Sequence, residues 1–117
     1  MMAPKSLSLL SNKIGKNLDL VQGAGGNTSF KDNEILWVKA SGFWLSEAGK
    51  KNIFVPVRYK EIIKRLNNNE LDPISPEVID FEGSKLKPSI ETSLHALMPH
   101  KYVVHTHSVN ALANIVL

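Results

Sequence analysis

Between Asn27 and Val57 three runs rich in β-branched and aromatic residues, NTSFK, EILWVKA and NIFVPV, are separated by turn-forming residues. Residues of this kind suit a pleated, half-buried surface, so each run is expected to be a strand. The DNE link predicts a hairpin between the first two, and SGF a turn after the second. Pro56 has no N–H to donate, which places the third run at a sheet edge or its residue at a strand end. Helical patterns flank the strands, and the whole reads as one α/β domain over residues 1–117.

Leu7, Leu10, Ile14, Leu18 and Val21 recur at steps of three and four, which predicts an amphipathic helix ending near QGAGG. RYKEIIKRLNN predicts a short helix with Ile62, Ile63 and Leu66 facing inward. From Asn67 to Lys87 there is little periodicity, and this is the longest loop-like stretch. KPSIETSLHALMPHK predicts a helix with Ser89 as N-cap, a buried face of Ile90, Leu94, Leu97 and Met98, and a stop at Pro99. KYVVHTHSV is rich in β-branched residues and predicts another strand. SVNALANIVL begins a further helix and stops at Leu117 without a cap, so the domain is expected to be C-terminally incomplete.

Charge and composition narrow the function. Of the 117 residues 43% are hydrophobic and 21% charged, which suits a domain with a modest core. The net charge is +3, but the basic residues are scattered, with Lys50-Lys51 and Lys64-Arg65 the only adjacent pairs. Nucleic-acid binding is not expected without a basic stripe or run. Cysteine is absent, so any metal must sit on histidine, carboxylate or water. No apolar run approaches the roughly 20 residues of a membrane span, and the N-terminus lacks a signal-peptide core. A cytoplasmic protein is the expectation.

Three local patterns carry chemistry. His105 and His107 are two apart on a strand and therefore share a face. Read alone, they suit a metal site, a satisfied buried pair or a wet face. Glu91 and His95 share one face of the preceding helix. Packed on the strand, that helix can bring a carboxylate to the two imidazoles, a reasonable nucleus for a divalent ion such as zinc. Glu91 also suits a helix start, and His95 a structural hydrogen bond. In GAGGNTS, three glycines let a ligand approach the backbone closely beside Asn, Thr and Ser. Read alone, this is also a helix C-cap and a tight turn. In KASG, free N–H groups, a hydroxyl and Lys39 suit a phosphate.

In this order, GAGGNTS, LWVKASG, KPSIETSLH and VVHTH resemble the class II aldolase/adducin family, with a flavour of its rhamnulose-1-phosphate aldolase branch. The resemblance runs from about Val21 to the C-terminus. It implies a three-layer α/β/α fold with a central, mainly antiparallel sheet. It also implies a metal-dependent lyase that cleaves a ketose 1-phosphate to dihydroxyacetone phosphate and an aldehyde through an enediolate. The implied metal is divalent, zinc above all, with His105 and His107 as ligands and Glu91 as catalytic acid/base. Asn27, Thr28, Ser41, Gly42 and Ser89 match phosphate-binding positions, and Ile90 stands where some members carry a second serine. The partners implied are a small sugar phosphate and further copies of the chain, a tetramer in the family. Epimerases, dehydratases and the non-catalytic adducin head share the fold. The family's third metal-binding histidine has no counterpart, because no histidine follows His107. The chain is therefore expected to be inactive by itself.

Overall fold

The computed structural model describes residues 2–79 and 85–107. The helix expected over SVNALANIVL lies outside them. Four strands form an antiparallel sheet: β1 (Asn27–Asp32), β2 (Ile35–Lys39), β3 (Phe54–Arg58) and β4 (Tyr102–His105), in the spatial order β3-β2-β1-β4. The hairpin forms as expected, with Asp32 opposite Ile35 and Asn33 at φ 54° in its tight turn. Pro56 sits on β3, at the edge of the sheet, opposite Trp37.

Helices lie on both faces, giving the expected three layers. α1 (Lys5–Gly15) and a 3-10 turn (Leu45–Gly49) cover one face, where Leu7, Phe30, Trp37, Ile53 and Phe54 are buried together. α2 (Tyr59–Asn67) and α3 (Thr92–Leu97) cover the other, around Leu36, Val38, Val55, Val57, Ile62 and Ala96. Strand alternation supplies both sets, because Leu36 and Val38 face one layer while Trp37 faces the other. Ile63 and Leu66 pack against the second cluster, as the helical spacing predicts.

Two expectations are corrected. α1 ends at Gly15 rather than near Gly23. A β-carbon at Gly15 would lie 2.3 Å from the Ser46 backbone nitrogen, so the helix closes here against the 3-10 turn. The chain then bends at Asn17, whose carbonyl accepts from both Leu20 and Val21 N–H at 3.0 Å, and Leu18 is left exposed. α3 starts three residues after Ser89 and buries a different face. Thr92, His95 and Ala96 point inward, while Ile90, Leu94, Leu97 and Met98 are exposed. The inward side of α3 meets polar groups of β1, and those select Thr92 and His95 over leucine.

β1 is the polar centre of the sheet. Asn27, Thr28, Ser29 and Lys31 are all buried. Thr28 Oγ1 lies 2.6 Å from Ser11 Oγ of α1, and Ser29 Oγ lies 2.6 Å from His95 Nδ1 of α3. Lys31 Nζ donates to the His95 carbonyl at 2.6 Å and to the His100 carbonyl at 3.1 Å. A cation there complements the negative end of α3. One strand thus fixes a helix on each face. It also holds α3 at its C-terminal end, which sets where the opposite end and Glu91 come to lie.

Candidate active site

The site lies at one end of the sheet, where β1 begins, β2 ends and β4 ends. Asn27 and His105 are register partners across β1 and β4. The Lys87–Ser89 segment runs along the end of β2: Ser41 N–H donates to the Lys87 carbonyl at 2.8 Å and Ser89 N–H to the Lys39 carbonyl at 3.0 Å. Ala40 and Pro88 form an antiparallel bridge. Ser89 Oγ then accepts from Glu91 N–H at 3.1 Å, and the Ser89 carbonyl from Thr92 N–H at 3.1 Å. Ser89 therefore caps the turn that presents Glu91, although α3 itself begins at Thr92.

Glu91 binds two partners through one oxygen. Its Oε2 lies 2.6 Å from Asn27 Nδ2 and 2.6 Å from His105 Nδ1. Burial pushes its pKa up, but the His105 hydrogen bond and charge and the Asn27 hydrogen bond outweigh that, leaving the carboxyl below its ordinary range. A carboxylate that accepts from His105 Nδ1–H leaves Nε2 of the same ring as the acceptor or ligand atom. The His107 ring is adjacent, with centroids 5.0 Å apart and planes at 57°. The two rings are thus neighbours, although β4 ends at His105 and His107 lies beyond it; of the two, His105 is the one that bonds Glu91.

A cleft beside this group is lined by the Ala24–Gly26 turn, Asn27, Lys39, Ser41, Gly42, Ser89, Ile90, Glu91 and His107. His105 stands behind it and reaches it through Glu91. Gly26 (φ 80°) and Gly42 (φ 85°) occupy left-handed conformations that suit glycine. At Gly26 a β-carbon would also meet Val21 at 3.0 Å and Leu45 at 3.2 Å. Lys39 is 2% exposed, and its ammonium donates to the Ala24 carbonyl at 2.8 Å and the Phe43 carbonyl at 2.7 Å. It therefore ties the two turns together. Burial lowers its pKa, while the charges of Glu91 and Glu47 oppose that shift.

Thr28 does not join this group. Its side chain is fully buried on the α1 face with Ser11, because alternation along β1 turns it away from Asn27. His95 is also fully buried, and burial pulls its pKa down to about 4 against the opposing charge of Glu91, with Lys31 and His105 adding to the shift. It is a neutral core histidine bonded to Ser29. Sequence reasoning missed the roles of Ser29, Lys31 and the Lys39 brace. The available signal was the polar residues at alternate positions of predicted strands.

Among the described residues no group of three or more histidine, aspartate or glutamate side chains stands in a metal-holding arrangement. The His105 and His107 imidazoles near the Glu91 carboxylate are nevertheless donors of the kind that suit a divalent ion.

An antiparallel α/β/α sheet with a histidine–glutamate–glycine-turn cleft at one end defines a class II aldolase-type domain. The chain belongs to the family described as class II aldolase and adducin N-terminal domain, whose model matches residues 7–116. A Bacillus subtilis (strain 168) protein named uncharacterized oxidoreductase YuxG is 32% identical over 112 residues, covering 83% of this chain and 16% of that protein. The N-terminal class II aldolase domain of a conserved Thermoplasma acidophilum protein superposes with TM-score 0.76 at 28% identity, over 92% of this chain and 56% of the other. An L-fuculose 1-phosphate aldolase shares the fold, with TM-score 0.61 at 21% identity over 96% of this chain and 49% of the other. The chain thus spans about one-sixth of the curated relative and about half of each structural one. Class II aldolases are in general divalent-metal-dependent. No helix among the described residues is long and apolar enough to cross a membrane.

Proposed function

We propose that this domain carries the proton-transfer and phosphate-binding part of a metal-dependent aldolase acting on a ketose 1-phosphate. The carrying observation is the convergence of Asn27 and His105 on Glu91 Oε2, beside a cleft floored by two glycine turns. Glu91 is the acid/base that moves a proton at the carbon next to the substrate carbonyl. Its position on the cleft wall supports that role, and its lowered pKa keeps the carboxyl ionised, the form a base requires. The backbone of the Gly25–Gly26 turn, Ser41, Gly42 and Ser89 hold the phosphate, with the Lys39 charge beneath them. Fixing that end sets the reacting carbon against Glu91.

His105 and His107 would hold a divalent ion, zinc in this reading, which supplies Lewis-acid stabilisation of the enediolate charge when bound. The products are dihydroxyacetone phosphate and an aldehyde, as for a rhamnulose-1-phosphate-type aldolase, and the active assembly is a homo-oligomer in the cytoplasm. The oxidoreductase name of the Bacillus relative supports a second arrangement, in which this domain is one part of a longer enzyme. The described sheet is antiparallel and GAGG leads into a strand, so dinucleotide binding would belong to another part of such a protein.

Glu91→Gln in the full chain is expected to keep its metal and lose turnover by roughly 100-fold or more. His105→Ala and His107→Ala are each expected to lose the metal. Elemental analysis and a sugar-phosphate cleavage assay check both. Normal cleavage by Glu91→Gln, or stoichiometric metal in both histidine variants, would sink the reading.

A further inference from the structure

Lys39 is 2% exposed, yet its ammonium is bonded to neutral groups: the Ala24 carbonyl at 2.8 Å and the Phe43 carbonyl at 2.7 Å. Among the described residues no carboxylate bonds it, and Glu91 and Glu47 attract it through space. Both of those carboxylates are bonded to other groups, Glu91 to Asn27 and His105, and Glu47 to the Trp44 N–H. A buried charge ordinarily lies against an opposite one, because leaving water without that compensation is costly. The place of Lys39 adds a second argument. Ala24 belongs to the glycine turn before β1, and Phe43 follows Gly42 in the turn after β2. Both turns border the cleft, and Lys39 is the one lysine or arginine among its described lining residues. One ammonium bonded to both turns sets the distance between them.

We infer that Lys39 is a positioning residue for the anionic end of the ligand: it holds the two glycine turns at a fixed spacing, and its charge, acting from beneath them without touching the ligand, makes the cleft select an anionic group over a neutral one. This inference rests on the reading of the cleft as the phosphate-holding part of the site, and not on the lyase reaction. A fixed positive charge in a largely buried setting acts on a nearby phosphate more strongly than it would in water. A lysine that served as a brace alone would leave the affinity for an anion indifferent to its charge.

Two measurements on the full chain test the inference, with inorganic phosphate as the probe. In the unaltered protein the ε-methylene resonance of Lys39 is followed by NMR together with the Gly26 and Gly42 amides. Added phosphate is expected to move all three with one binding constant, and glycerol at the same concentration to move none. A Lys39 resonance that stays in place while the two amides follow phosphate marks a brace whose charge the ligand does not feel, and overturns the inference. An equal response to glycerol, or no binding of phosphate, overturns it as well. In Lys39→Met, which fills a similar volume without the charge, the phosphate constant is expected to rise roughly tenfold or more. A constant within about threefold of the original also overturns the inference. If Lys39→Met does not fold, the measurement on the unaltered protein decides. If phosphate binds as expected and no ketose 1-phosphate is cleaved, the lyase reading fails and the role of Lys39 stands.

Discussion

At the residue scale, the polar groups of β1 and α3 place a neutral imidazole where a leucine would ordinarily sit. His95 faces Ser29, with Lys31, Glu91 and His105 as the charged or titratable groups nearest it. Its folded-state pKa of about 4 lies below the ordinary 6.5. Above pH 6.5 both states are neutral and its packing contributes in full. Between the two values the unfolded chain binds a proton that the folded chain refuses, so stability falls as pH falls. The slope approaches roughly 1.4 kcal/mol per pH unit, for a total on the order of 3 kcal/mol. Urea unfolding from pH 7.5 down to 4.5 checks this, and His95→Gln is expected to flatten the part of the curve due to His95. A variant curve as steep as the original would show that the imidazole charges without penalty in the fold. Spacing alone placed His105 and His107 close together, and their rings are adjacent, although β4 ends at His105. Thr28 and Asn27 were adjacent in a single motif, and only strand alternation, once the sheet was formed, put them in different layers.

At the element scale, the end of α1 is decided by a neighbour distant in sequence. The apolar spacing continues to Leu18 and Val21, but Gly15 lies against the Leu45–Ser46 backbone, and Asn12 Nδ2 donates to the Ser46 carbonyl at 2.7 Å. Gly15→Ala is expected to destabilise the fold by roughly 1–3 kcal/mol through overpacking, although alanine is the better helix former. Thermal unfolding checks the sign, and a more stable variant would mean that the contact gives way readily. α3 shows the same limit. Its leucines at helical spacing predicted a buried stripe, yet β1 presents Ser29 and Lys31 to it, and the helix turns its polar side inward to satisfy them. Periodicity shows that a helix has an apolar side; it does not show which layer that side meets.

At the scale of the whole molecule, the two apolar clusters and the exposed side of α3 predict opposite responses to the same kind of change. Leu36 is fully buried between β2 and α2, so Leu36→Ala is expected to cost about 2–5 kcal/mol. Leu97 is 56% exposed, and Leu97→Ala is expected to change the stability of the single chain by less than about 0.5 kcal/mol. Denaturant midpoints of the two variants at low concentration check the contrast, and a loss at Leu97 approaching that at Leu36 would show the face to be covered in solution.

The amino-acid sequence by itself determined the hairpin, the confinement of Pro56 to a sheet edge or a strand end, the inward face of α2 and the closeness of the two histidines. Each follows from local rules: alternation along a strand, helical spacing, and the missing N–H of proline. The tertiary structure alone decided where α1 stops, which face of α3 is buried, that Lys39 braces both glycine turns, and that Asn27 and His105 meet on one oxygen of Glu91. Those outcomes depend on contacts between residues far apart in sequence, such as Asn27 with Glu91, 64 positions apart. Buried polar groups must find partners wherever the packed layers bring them, and that demand overrides the local pattern.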